Sequence, residues 1–247
     1  MTYCVALRLE GGLVMLADTR TNAGVDNIST FRKLSVIEHP GDRVIGLMTA
    51  GNLAVSQAAI NMATEQGVRV RGSDKPETLH TVPTMVRAAQ LMGEAVREVY
   101  RIDGPSLEAQ AGDFNVSILM GGQVGNGELR LFQIYSAGNY IEATEDTPYL
   151  QIGEHKYGKP IIDRALTYGT PLADGLKLAL ISMDSTMHSN LSVGMPIDLM
   201  VYRRNALNVA LQRRIRDDDE YFKGLRTSWS DALTQAYRAI PGPGWEF

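Results

Sequence analysis

Cysteine is nearly absent: Cys4 is the only one in 247 residues. No disulfide can close within the chain, and no zinc site can be built from thiolates. A lone thiol suits a reducing compartment. It sits in the alternating run Tyr3-Cys4-Val5-Ala6-Leu7 and reads as a small core residue. An excess of positive charge is also missing. Lys and Arg number 24 against 28 Asp and Glu, a net charge of −4, which argues against a surface dedicated to nucleic acid or to an anionic membrane. No apolar run reaches the ~18 residues of a membrane span. The start also lacks the basic segment and apolar core of a secretion signal. His39, His80, His155 and His188 are scattered without ligand spacing, so neither a metal nor another cofactor is expected. These absences leave a soluble, cytoplasmic chain.

What is present is ordinary globular material: 44% hydrophobic and 21% charged residues, enough for a sizeable core. Two β-rich runs, 2–9 and 12–18, are joined by Glu10-Gly11-Gly12, and a polar loop follows from Thr19 to Thr30. A second strand pair, 33–38 and 43–49, turns at His39-Pro40-Gly41-Asp42. The period then changes. Asn52 caps an Ala-rich helix closing near Gly67, and a second helix runs from Thr81 or Pro83 to Arg101, ending before Asp103-Gly104-Pro105. Strands return at 114–120 and 128–135 around the glycine-rich stretch 121–127. That stretch lacks the Lys-Ser/Thr pair and following helix of a phosphate loop, and reads as a hairpin loop. A short strand ends at Ile152, helices occupy 156–168 and 171–188, strands 197–203 and 206–212, and an amphipathic helix 217–239 precedes the tail Pro241-Gly242-Pro243-Gly244. This order fits no regular β–α alternation. It fits two antiparallel sheets stacked face to face, with helix pairs over both outer faces, in one domain spanning 1–247.

Removal of Met1 would expose Thr2, which then carries a hydroxyl nucleophile and an amine base in one residue. An α-amine has an ordinary pKa near ~8, so it can accept a proton at cellular pH. Thr2 alone says little, because many proteins begin Met-Thr. Asp18 closes the second strand and Lys33 opens the third, each a charged residue at an apolar strand edge. A lysine there lowers the hydroxyl pKa and steadies negative charge, with Asp18 keeping it protonated. On spacing alone, a structural salt bridge at a strand end is the better reading of the pair.

Four segments together resolve the ambiguity: Thr2-Tyr3-Cys4-Val5-Ala6-Leu7, Leu16-Ala17-Asp18-Thr19-Arg20, Phe31-Arg32-Lys33-Leu34 and Leu47-Met48-Thr49-Ala50-Gly51-Asn52. They resemble a proteasome β-type subunit. The stretch from Asp18 to Lys33 resembles more closely the bacterial Anbu, or ancestral β-subunit, family, and the likeness runs along essentially the whole chain. It implies an α+β fold, the four-layer αββα sandwich of N-terminal-nucleophile hydrolases. It implies Thr2 as nucleophile, Asp18 and Lys33 as its charge partners, and the Gly51 N–H as oxyanion donor. Two places depart from the proteasome pattern. Gly153-Glu154-His155 stands where active subunits carry Gly-Ser-Gly, and Ser189-Asn190-Leu191-Ser192-Val193-Gly194 where they carry Asp and then Ser-Gly-Gly. Ser189 and Ser192 offer hydroxyls to the Thr2 amine. Glu154 reads either as a polar partner of the site or as a helix cap.

The resemblance further implies cleavage of peptide amide bonds inside a ring or helical homo-oligomer, with no nucleic-acid or membrane partner. Two rival readings stand beside it: a silent scaffold that keeps only the fold, and amidase or amide-transfer chemistry on a small or unusual peptide. The products of neighbouring ATP-grasp and transglutaminase-like genes are candidate partners on the same grounds.

Overall fold

A computed structural model describes residues 2–22, 28–110 and 112–245. Met1, whose removal would free the Thr2 amine, and the loop residues Gly24, Asp26 and Asn27 lie outside the described residues.

One five-stranded sheet is built from β1 (Tyr3–Leu9), β2 (Gly12–Asp18), β10 (Tyr149–Gly153), β11 (Ile197–Arg203) and β12 (Val209–Ile215), in the order β10-β1-β2-β11-β12. The other contains β5 (Leu34–His39), β6 (Arg43–Gly51), β7 (Val116–Val124), β8 (Arg130–Ile134) and β9 (Tyr140–Glu142), in chain order. All neighbours are antiparallel. A separate ribbon pairs β3 (Arg20–Asn22) with β4 (Ile28–Thr30), where the polar composition reads as a plain loop.

Strand periodicity sorts the core into layers. On β1 and β2, Val5, Leu7, Val14 and Leu16 face helices α3 (Lys159–Ala165), α4 (Leu172–Ser189) and the start of α5 (Glu220–Ala239). The alternate residues Cys4, Ala6, Leu13, Met15 and Ala17 face the other sheet. The second sheet turns Ile45, Leu47, Ile118 and Met120 outward onto α1 (Leu53–Asn61) and α2 (Met85–Ala109). Three apolar interfaces between four layers make the αββα sandwich expected from the element order.

Glycine lets the sheets meet. Gly46 and Gly121 are register partners on β6 and β7. A Cβ on Gly46 would lie 2.5 Å from Met15 Sδ, and one on Gly121 would lie 3.0 Å from Leu13 Cδ2. The first half of the glycine-rich stretch is therefore strand rather than hairpin loop, because close approach across the sandwich requires the missing side chains.

Several helix boundaries also differ from expectation. α2 does not stop before Asp103 but runs through Pro105 to Ala109. The α1 segment ends in a π-helical turn, Met62–Gln66. α5 begins at Glu220 rather than 217, because Asp219 caps it by accepting the Phe222 N–H at 2.9 Å. β12 begins at Val209, since Asn205 and Leu207 take positive φ of 64° and 48° in the preceding turn. No helix among the described residues is long and apolar enough to cross a membrane.

Candidate active site

β1 lies between β10 and β2, so its first residues meet the ends of both. Thr2 precedes it by one position and is partly exposed on a cleft of about 500 Å³. The cleft walls include Thr21, Gly51, Asn115, Glu154 and Lys156. Gly51 ends β6 with φ +102°, and a Cβ there would sit 2.2 Å from the Asn115 carbonyl oxygen, so only glycine fits without displacing β7. Asn52 follows as the N-cap of α1, its Oδ1 accepting from the N–H groups of Ala54 and Val55 at 3.0 and 3.3 Å. The positive end of the α1 dipole therefore opens next to the cleft.

One residue along from Thr2, the Tyr3 N–H donates to Asp18 Oδ1 at 3.0 Å. Lys33 Nζ donates to the same oxygen at 2.7 Å and to the Arg20 carbonyl at 2.6 Å, with side-chain exposures of 5% for Lys33 and 0% for Asp18. The Gly194 N–H reaches Asp18 Oδ2 at 3.4 Å. Burial pushes the Asp18 carboxyl above its ordinary value, opposed by the Lys33 ammonium and by the N–H donors of Tyr3 and Gly194. This is a dry, hydrogen-bonded ion pair joining β2 to the segment before β5, tied directly to the start of β1.

The proteasome subunit family profile matches residues 2–202. Among solved structures, an Anbu (Gly-1) mutant from Hyphomicrobium sp. strain MC1 is 50% identical over 100% of both chains, with a TM-score of 0.90. Anbu from Yersinia bercovieri is 47% identical over 99% of this chain and 100% of that one, also at 0.90. This chain belongs to the Anbu family of proteasome-like proteins. A helical assembly of the Anbu complex from Pseudomonas aeruginosa is 48% identical over 98% of each chain, with a TM-score of 0.89. No curated protein matches.

Within the Anbu fold, the residues singled out from the sequence fall into three groups. Thr2 and Gly51 share the cleft, and Asp18 and Lys33 share the buried pair. Ser189 and Ser192 stand apart from the cleft lining: Ser189 is exposed at the last position of α4, and the Ser192 N–H closes a turn on Asn190 Oδ1 at 2.9 Å. Glu154 does not cap a helix, because α3 begins five residues later with Gly158 at its cap position and no side-chain cap. Its carboxylate joins Asn190 Nδ2 at 3.3 Å and the Lys156 N–H at 3.1 Å. Asn190 and the cleft residue Asn115 carry no signal in a single sequence: a lone Asn in a turn has the same appearance whether or not it faces a site. Among the described residues, no group of three or more His, Cys, Asp or Glu is placed to hold a metal ion.

Proposed function

We propose that this chain is a proteasome-type threonine peptidase, acting on peptide amide bonds through Thr2 once Met1 has been removed. The observation that carries this reading is the shared cleft of Thr2 and Gly51, next to a buried Asp18–Lys33 pair that is hydrogen-bonded to Tyr3. Thr2 Oγ attacks the amide carbonyl and passes its proton to the free α-amine. The Gly51 N–H and the α1 N-terminus stabilise the tetrahedral oxyanion. Collapse breaks the C–N bond, the α-ammonium returns the proton to the departing amine, and an acyl ester remains on Thr2. Water, deprotonated by the same amine, then releases the carboxylic acid and restores the hydroxyl. Lys33 supports the site by adding positive potential, and Asp18 keeps Lys33 charged.

Self-assembly belongs to the same reading. The relative from Pseudomonas aeruginosa forms a helical assembly, and α5, a helix with few buried positions, leaves Leu233 and Tyr237 half or more exposed, as is Ile240 just after its end. Were these residues to meet a different face of a second copy, the repeated contact would build a ring or an open helix.

Intact-mass analysis of the purified protein, before and after a threonine-directed epoxyketone, tests the proposal. The expected result is a chain lacking Met1 that gains one adduct, and no adduct in Thr2→Ala. A chain that keeps Met1 when isolated from its native host, or one that is labelled equally well without Thr2, overturns the peptidase reading and leaves the scaffold alternative.

A further inference from the structure

Among the described cleft-lining residues, Glu154 is the one carboxylate, and the hydrolytic steps assign it no task. The backbone brings it there by an exacting route. Tyr3 pairs with Gly153 across β1 and β10. Gly153 has φ +83°, and a Cβ on it would lie 2.0 Å from the Thr2 carbonyl oxygen. The next N–H, that of Glu154, donates to that carbonyl at 2.6 Å. The carboxylate is then fixed from two sides, by the Lys156 N–H on Oε1 at 3.1 Å and by Asn190 Nδ2 on Oε2 at 3.3 Å. Asn190 is itself buried, and its Oδ1 is held by the Ser192 N–H at 2.9 Å. A charge oriented this carefully on the nucleophile's own cleft wall calls for a function.

We propose that Glu154, oriented by Asn190, is a positioning residue for the free α-amine of Thr2, holding the amine toward the Thr2 hydroxyl and keeping it basic. The inference rests on Thr2 being the nucleophile. The charged and titratable groups around this end of β1 explain the need. Lys33, before β5, is a buried cation that disfavours protonation of a neighbouring amine, and Asp18 of β2 is already engaged by it. His155 and Lys156 line the cleft after β10. Arg20 of β3 places its guanidinium against Gly194 and donates to the Leu191 carbonyl at 2.7 Å. Glu154 supplies the negative charge that Asp18, bound to Lys33, does not.

The amine can be titrated without turnover. In full-length protein lacking Met1, trace acetic anhydride labelling across pH, read by mass spectrometry of the N-terminal peptide, reports the α-amine pKa. Glu154→Gln keeps the backbone N–H and should lower that pKa by about one unit, a tenfold loss of protonated amine at a fixed pH above it. Asn190→Ala should shift it in the same direction by less, and Glu154→Asp should recover most of the shift. The acid limb of epoxyketone labelling should move with it. An unchanged amine pKa in Glu154→Gln overturns the proposal whether or not the protein hydrolyses anything. Should Glu154→Gln fail to fold, an unchanged pKa in Asn190→Ala overturns it equally. Epoxyketone labelling that is indifferent to Thr2 overturns the nucleophile reading instead.

Discussion

Asp18 accepts from Tyr3, Lys33 and Gly194 with no exposure to solvent, so its energetics are set by partners alone. Burial raises its carboxyl above the ordinary value. In the window between the unfolded and folded values, the folded chain holds the extra proton, so this group's contribution to stability declines as pH rises through that window. Removing the cation enlarges the effect. Lys33→Met should cost about 3–5 kcal/mol at neutral pH, the cost of an orphaned buried charge, and the deficit should shrink on acidification as Asp18 takes up a proton. Denaturant unfolding of variant and parent at several pH values checks this, and a pH-independent deficit would contradict it. The pair is legible in the sequence because charged residues stand out at the ends of apolar strands. Glu154 and Asn190 are not paired by any such signal, since two helices separate them along the chain.

Helix α2 shows what one sequence can and cannot announce about an element. Its apolar stripe is readable, and its start falls where Thr84 caps by accepting the Arg87 N–H at 3.1 Å. Its end is not, because Asp103-Gly104-Pro105 is ordinarily a stop. Here Gly104 tucks against the Tyr100 ring, which stacks edge-on with Phe114 at 5.0 Å. The Tyr100 hydroxyl then reaches past the proline to Glu108 Oε1 at 2.8 Å, so tertiary packing carries the helix through. Near the other end, Arg87 grips Glu77 with two bonds of 2.7 Å, tying α2 to the bridge between Val68 and Glu77. The guanidinium holds the Glu77 carboxyl below the usual range. With a depressed folded value, this stabilisation is present above the unfolded pKa and is lost as pH falls through the folded one. Glu77→Gln should therefore cost about 1 kcal/mol at neutral pH, discounted for its partial exposure, and the gap to the parent should close in acid. Thermal melts from neutral to acidic pH measure it.

At the scale of the molecule, the sandwich is set by how closely the sheets approach. The alternation of Cys4, Ala6 and Ala17 toward the interior is readable from the strand pattern, whereas Gly46 and Gly121 carry meaning only once they face Met15 and Leu13 across the gap. Gly46→Ala should destabilise by about 1–3 kcal/mol through overpacking, with a lowered denaturation midpoint, while Gly41→Ala at an open turn meets no neighbouring atom and isolates the cost of its positive φ.

The sheet that carries Thr2 has a strand order that mixes early and late chain. β1 needs β10, and β2 needs β11, before either has its full set of partners, and Asp18 waits for a donor 176 positions downstream. During synthesis, β1 and β2 thus emerge long before the strands that complete their pairing. A chain that ends before Gly194 presents Thr2 without its surroundings, so under the proposed function the site takes shape only after the chain through that residue has been made.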